Sequence, residues 1–318
     1  MNNPTRRQTL LAGTANALAA SLAALPRLGL AAAGDVAALH APFAALERRA
    51  GGRLGVAVLD TADGSLIGHR SSERFALCST FKLPLAAMIL READQGRLLL
   101  ERRLAYGPAD RVSHMPVTEK HLAEGSMRIV DLAEAAQTTS DNLAANLLMR
   151  QLGGPAALTA RLRELGDADT RIDRYEPQMN VVDIVHARQQ TDTSTPLAMA
   201  RSADRLLHSN WLSPASRERL AGWMIDTGTG RKRLRAGFPK HWKAGDKTGT
   251  YLAKGIADKL NDVAIAWPEG AAPLVVSAYY EGPGQHEDMR EQDQAVLAEV
   301  GRLAAAWWTE RHGKRRAL

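Results

Sequence analysis

Short apolar runs with strand character sit at both ends of this chain, and the long middle has almost none. Leu54 to Leu59 (Leu-Gly-Val-Ala-Val-Leu) is apolar and partly β-branched, and Thr61-Ala62-Asp63-Gly64 makes a turn before a second run at Ser65 to His69. Near the other end, Asp262 to Trp267 and Pro273 to Tyr280 repeat this arrangement around Pro268-Glu269-Gly270. From Thr80 to about Met224 the alternation gives way to Ala- and Leu-rich helical stretches. Leu143 to Leu152 stops at Gly153-Gly154, Pro155 to Leu165 stops at Gly166, and Pro196 to His208 is another. Strands from the two ends can pair in one sheet. A last helix over about Glu291 to Arg311 packs on it, since Val296, Leu297, Val300, Leu303, Ala304 and Trp307 fall at three- and four-residue steps. The predicted fold is α+β. A discontinuous α/β domain (34–75 and 225–318), an antiparallel sheet flanked by helices, carries an inserted all-helical domain (76–224), with a ligand cleft where they meet.

The first 33 residues stand apart, with Arg6, Arg7 and Arg27 and no acid. Thr5-Arg6-Arg7-Gln8-Thr9-Leu10 is similar to a twin-arginine export signal. Leu10 to Leu25 is an Ala/Leu-rich apolar stretch, and Ala31-Ala32-Ala33 offers small residues for cleavage. Asn16, Pro26 and Arg27 leave that stretch short for a membrane span. The expectation is an exported, periplasmic protein, cleaved near Ala33, with no membrane attachment in its mature form. Losing this segment lowers the formal charge from +6 to +3, too mild a balance to imply a nucleic-acid partner. The basic run Arg311-His312-Gly313-Lys314-Arg315-Arg316 reads as a solvated tail. With Cys78 as the one cysteine, no intramolecular disulfide can form and the core alone holds the chain together. A monomer is expected. Nine histidines lack metal-ligand spacing, so neither a metal nor an organic cofactor is expected.

Ser79-Thr80-Phe81-Lys82 opens the first helical stretch of the middle. A serine at a helix start lies near the positive end of the dipole among free N–H groups. Lys82, three residues on, projects from the same face, where an amine can accept, shuttle or stabilise the proton leaving Ser79. Alone the motif says little, because serine is a common N-cap and about one Ser-x-x-Lys arises by chance in a chain this long. Ser140-Asp141-Asn142, between two helical runs, also reads as a capped loop. Chemically, Ser140 can relay a proton and Asn142 can hold a substrate carbonyl. Lys247-Thr248-Gly249-Thr250 is placed on an edge strand. Lys247 can attract a carboxylate, Gly249 permits close backbone approach, and the Thr250 N–H can face a developing oxyanion beside that of Ser79.

Together, and in this order, the three motifs resemble the signature of class A β-lactamases and penicillin-binding proteins. The resemblance to class A serine β-lactamases spans nearly the whole mature length. It implies the serine β-lactamase fold and a small-molecule β-lactam substrate. It also implies catalytic roles for Ser79, Lys82, Ser140 and Glu176, and substrate contacts from His114, Asn142, Asn180, Arg233, Lys247, Thr248, Gly249 and Thr250. Arg174-Tyr175-Glu176-Pro177-Gln178-Met179-Asn180 resembles the start of that family's Ω-loop. An acyl-serine ester persists unless a water is held and deprotonated beside it; Glu176 is the expected base and the Asn180 amide the second hold on that water. Whether Lys82 or Glu176 activates Ser79 for acylation stays open in the sequence. Arg233, fourteen residues before Lys247 and flanked by Lys232 and Arg235, stands where some members carry an arginine that helps to hold the substrate carboxylate.

Three departures from the family stand out. The segment from Asn180 to Pro196 is a few residues longer than usual, though an Arg174–Asp192 pair across its neck is still expected. His114 falls where an aromatic gate residue is common, and reads equally as a stacking residue or an exposed histidine. Tyr251 stands about where disulfide-braced carbapenemases carry a second cysteine, so that brace is absent. The alternatives are a penicillin-binding protein of the D-Ala-D-Ala peptidase kind, or a β-lactam sensor that acylates without turnover. The first would lack Glu176 and Asn180 in this arrangement; the second usually belongs to a membrane-anchored receptor, whereas no segment after the leader is expected to span a membrane. A surface-binding protein using the basic tail is a third reading.

Overall fold

The computed structural model describes residues 33–182 and 190–316. The export-signal reading of residues 1–32 lies outside them, as does part of the long segment after Asn180. The chain begins with α1 (Ala33–Ala50), β1 (Arg53–Asp60), β2 (Leu66–His69) and β3 (Phe75–Ala76). A 3-10 turn (Cys78–Phe81) then runs into α2 (Lys82–Asp94). The middle holds β4 (Arg103–Ala105), β5 (Ser126–Arg128), α3 (Ile129–Thr138), α4 (Asn142–Leu152), α5 (Pro155–Leu165), β6 (Thr193–Ser194), α6 (Pro196–His208) and α7 (Pro214–Asp226). The end holds α8 (Leu234–Gly237), β7 (Lys243–Ala253), β8 (Ile256–Trp267), β9 (Leu274–Glu281) and α9 (Glu291–Arg316).

Five strands make one antiparallel sheet in the order β2-β1-β9-β8-β7. The two chain ends meet in its centre, where Leu54 pairs with Tyr280 and Val58 with Val276. Both faces are covered, which explains why the central strands are apolar almost throughout. Leu54, Val56, Val58, Ala264 and Val276 face one core with Phe43 and Leu46 of α1 and Leu297 and Val300 of α9. Ala57, Leu59, Val263, Ile265, Val275 and Tyr279 face the other core, built with the middle helices. Successive side chains thus feed opposite layers. Within the helical layer α2 is the axis: every residue from Lys82 to Leu90 is buried. Pro84 sits in the first turn, where its missing N–H costs nothing.

Three features differ from the sequence expectations. The α1 helix was hidden because its alanine-rich start continues the apolar leader; Gly51 and Gly52, both at positive φ, end it. The middle contains short strand pairs, β3 with β6 and β4 with β5, too short to show alternation. The basic C-terminal run does not begin as a solvated tail. It continues α9 to Arg316, and its first residues fasten the β1–β2 hairpin: His312 Nε2 lies 2.8 Å from Asp60 Oδ2, and Arg311 donates to Ser65 Oγ at 2.6 Å. On this helix Trp308, rather than Trp307, is the buried tryptophan. Among the described residues no helix is long and apolar enough to cross a membrane, and no cluster of side chains is arranged to hold a metal ion.

Candidate active site

Ser79 lies in the 3-10 turn that opens α2, half-buried, and its hydroxyl touches two ionisable groups. Lys82 Nζ donates to Ser79 Oγ at 2.9 Å, and Ser79 Oγ stands 3.3 Å from Glu176 Oε1. The Lys82 and Glu176 side chains are fully buried and 3.1 Å apart. An isolated buried ammonium costs several kcal/mol, about as much as a small domain's whole stability margin, so its partners decide whether the site can exist. Lys82 has five: Ser79 Oγ, the Ser140 carbonyl at 2.9 Å and hydroxyl at 3.4 Å, the Asn142 amide oxygen at 2.5 Å, and Glu176. Burial still pushes its ammonium below the ordinary lysine range, against the pull of Glu176, which brings it closer to proton exchange with Ser79.

Each partner is held by its own local structure. Ser140 and Asn142 flank Asp141, the N-cap of α4, which is completely buried. The Asp141 carboxylate accepts from the N–H groups of Ala144 (2.9 Å), Val117 (3.0 Å) and Thr118 (2.8 Å). That fixes the loop, and Ser140 is carried at φ 61°, a left-handed conformation costing roughly 1–2 kcal/mol in a non-glycine residue. Cys78 and His114, also beside the cleft, share this conformation. Strain gathered in one place is a mark of functional sites. Glu176 is positioned through its backbone: Asn146, one turn after Asn142 on α4, accepts from the Glu176 N–H and donates to its carbonyl, both at 2.9 Å. Asn180 Nδ2 then donates to Glu176 Oε2 at 2.5 Å. The neck of this loop is closed by Arg174 Nε, 2.6 Å from Asp192 Oδ2.

The opposite wall is the edge strand β7. Gly249 packs so closely on the serine turn that a Cβ there would lie 2.9 Å from the Leu77 carbonyl and 3.2 Å from the Ser79 nitrogen. Only glycine lets the strand and the nucleophile approach this far. Lys247, wholly buried, donates to Ser140 Oγ at 3.1 Å and to the Thr248 carbonyl at 2.8 Å. Burial, with the nearby Lys82 charge, pushes its ammonium well below the ordinary lysine range. Arg233 is 1% exposed; it donates to the Gly249 and Asn261 carbonyls at 2.9 and 2.8 Å and to Thr250 Oγ1 at 2.6 Å. A cleft of about 450 Å³ opens between the walls, lined by Ser79, Ser140, Asn142, Asn180, Arg233, Thr248 and Thr250, with His114 at the rim. The His114 ring is tied by Nε2 to the Thr139 carbonyl at 3.0 Å. Two other hollows, of about 450 and 600 Å³, have no serine or cysteine in their walls.

Such a site joins a hydroxyl, a carboxylate and two buried amines beside an opening. It can carry out acyl transfer on a substrate that bears a carboxylate. The sequence matches the β-lactamase enzyme family over residues 38–308. The chain belongs to the β-lactamase enzyme family. It is 46% identical over 307 residues to β-lactamase L2 of Stenotrophomonas maltophilia, covering 94% of this chain and 97% of that protein. It is 41% identical over 263 residues to the carbapenem-hydrolyzing β-lactamase KPC of Klebsiella oxytoca, covering 83% and 86%. Among solved structures, the class A β-lactamase of the last common ancestor of Gram-negative bacteria superposes with a TM-score of 0.79 at 50% identity, covering 85% and 99%. A β-lactamase from Burkholderia vietnamiensis gives 0.80 at 45%, covering 86% and 97%. The chain is thus a class A serine β-lactamase, a hydrolase acting on β-lactams.

In this β-lactamase, Ser79, Lys82, Ser140, Asn142, Glu176, Asn180 and Lys247 lie in one hydrogen-bonded network. His114, Arg233, Thr248 and Thr250 line the same cleft, and Gly249 stands behind it. Sequence reasoning overlooked Asn146, which carried a usable signal, being four residues from Asn142 on one helix face. It also overlooked Asn261, which donates to the Ala76 and Leu77 carbonyls at 2.8 and 3.1 Å and stands one residue before the run read as a strand from Asp262. Thr229, 2.6 Å from Thr248 Oγ1, left no such trace. Tyr251 packs against buried Cys78, whose thiol burial pushes up to about 12, leaving it inert as a nucleophile.

Proposed function

We propose that this chain hydrolyses penicillins and cephalosporins through an acyl-enzyme on Ser79, and so confers resistance to them. The supporting observation is the placement of Ser79 Oγ within 2.9 Å of Lys82 and 3.3 Å of Glu176 in one buried network. Substrate docks in the cleft between a discontinuous sheet domain (34–75 and 225–318) and a helical domain (76–224). Its carboxylate meets Lys247, Thr248, Thr250 and Arg233; its side-chain amide meets Asn142, and His114 borders the rim. Ser79 Oγ attacks the lactam carbonyl carbon, and its proton passes into the Lys82–Glu176 pair, both of whose members touch the hydroxyl. The N–H groups of Ser79 and Thr250 face the oxyanion. As the C–N bond breaks, Ser140, which accepts hydrogen bonds from both lysines, hands its proton to the leaving nitrogen and takes from Lys82 the proton that Ser79 gave up, so that Glu176 is left ionised. Glu176, with Asn180, then takes a proton from a water that attacks the ester, releasing the opened product and restoring Ser79. The chemistry needs no metal or organic cofactor.

The position of Glu176 supports turnover over the stable adduct of a penicillin-binding or sensor protein. Class A enzymes are typically exported. With the twin-arginine-like leader, this supports a periplasmic, monomeric mature protein without membrane or nucleic-acid partners. Hydrolysis of benzylpenicillin and a chromogenic cephalosporin by the mature chain is the test. The wild type should turn over many times, and Ser79→Ala should lose about 10³-fold or more in kcat. A single stoichiometric burst from the wild type would point instead to a penicillin-binding or sensor protein.

A further inference from the structure

Behind the carboxylate-anchoring wall lie two acids that the reaction scheme leaves unused, Asp246 and Asp262, both completely buried. They share one sheet face: Asp246 pairs with Ala264 and Asp262 with Thr248, which makes the two acids diagonal neighbours across β7 and β8. The segment 230–234 roofs them. A Cβ at Gly230 would lie within 3 Å of Asp246 oxygens, and Leu234 donates its N–H to Asp262 Oδ2 at 3.1 Å. The charged groups facing the pair are Arg233, Arg235 and Lys247. Arg235 Nη1 stands 3.7 Å from Asp246 Oδ1, an ion pair too long for a hydrogen bond. From α3, Gln137 reaches only the Asp246 backbone carbonyl, at 2.9 Å. Among the described residues, both Asp246 oxygens and Asp262 Oδ1 have no hydrogen-bond partner.

We propose that Asp246 and Asp262 hold one proton between them at neutral pH, on Asp262 Oδ1 and donated to Asp246, and act as a positioning pair that sets the charge of the Arg233–Lys247 anchor. One such proton supplies the missing partner for Asp262 Oδ1 and for an Asp246 oxygen. Two ionised carboxylates at diagonal positions on one buried sheet face, with the Leu234 N–H as their one hydrogen-bond donor among the described residues, are disfavoured; one of such a pair stays neutral. Burial, and then the neighbouring Asp246 charge, push Asp262 well above the usual carboxylate range, while burial pushes Asp246 to about 6. At pH 7 the pair therefore carries one negative charge against the three cations of Arg233, Arg235 and Lys247. The surplus positive charge faces the cleft and is available to a substrate carboxylate. With both acids ionised, one positive charge fewer would be left for that carboxylate. With neither ionised, buried Lys247 would lose its counter-charge and shed its proton.

Infrared spectroscopy of the full mature chain in D2O reads the proton directly, independently of the proposed hydrolysis, on which only the kinetic arm rests. The wild type should show a protonated-carboxyl C=O band that disappears in Asp262→Asn. If that variant does not fold, Asp246→Asn carries the assignment, because an Asp262 kept neutral by burial but deprived of the carboxylate to which its proton is donated should show the band at a shifted frequency. In kinetics with benzylpenicillin, Asp262→Asn should change KM by no more than about threefold, and the double variant Asp246→Asn/Asp262→Asn should raise it by about tenfold or more, with kcat changed far less. A wild type without the band, a band left unchanged by Asp262→Asn or by Asp246→Asn, or an Asp262→Asn whose KM already matches the double variant would each overturn the proposal.

Discussion

Lys82 and Lys247 are both fully buried, both donate to Ser140 Oγ (3.4 and 3.1 Å), and yet are held in opposite electrical situations. Lys82, on the helical wall, has its counter-ion in place, with Glu176 at 3.1 Å. Lys247, on the sheet wall, makes its hydrogen bonds to neutral oxygens of Ser140 and Thr248, with its acids set behind the strand. A paired amine already in contact with a hydroxyl is equipped to move protons. A buried amine with neutral partners, on the strand that borders an opening, is equipped to attract an anion. The same residue type, equally buried, thus serves chemistry on one wall and recognition on the other.

Truncating the two lysines separates these roles. Lys82→Ala should lower kcat by about 10³-fold with a smaller change in KM, as expected for losing a proton-handling group in contact with the nucleophile. Lys247→Ala should act mainly through KM, raising it by about 30-fold, the lower range for removing one partner of a desolvated charge pair. Steady-state kinetics with benzylpenicillin check both; equal effects on the two parameters in both variants would erase the distinction. A smaller effect sharpens the helical wall. Asn146→Leu removes both backbone bonds that seat Glu176 and should slow deacylation about tenfold or more, read as acyl-enzyme accumulating at steady state. Outside the cleft, pH acts on other acids. Glu47 is held at about 2, against burial that pushes it up, by Arg70, the Leu54 N–H and His69; the Arg97 hydrogen bond, backed by Arg161, holds Glu92 at about 2. Both folded values are depressed, so the stability they contribute is complete above the ordinary value of 4.5 and is lost as pH falls from there toward 2. Melting temperature should therefore drop over that range, and Glu92→Gln should flatten part of the drop.

Much of this contrast was legible in the sequence, and unevenly so. The helices α5 and α6 announced themselves through proline starts and glycine or capping signals, and their bounds match the composition closely. The central strands were readable because both faces are buried and the runs are apolar. Motif order brought Ser79, Lys82, Ser140 and Lys247 to notice, since each needs few neighbours in sequence to state its chemistry. What stayed hidden depends on distant contacts. Asn146 matters because of a loop thirty residues on, Thr229 because of an opposite strand, and Asp262 because a roof segment and a diagonal acid leave it dry. The α1 helix was masked by a compositionally similar leader, and the basic end of α9 looked like a tail until Asp60 gave Arg311 and His312 a destination.

The most direct test of the central claim is mass spectrometry of Glu176→Ala mixed with benzylpenicillin. A long-lived penicilloyl adduct on the peptide containing Ser79, absent from Ser79→Ala and short-lived in the wild type, is the predicted result. Rapid multiple turnover by Glu176→Ala, or an adduct on any other residue, would contradict it.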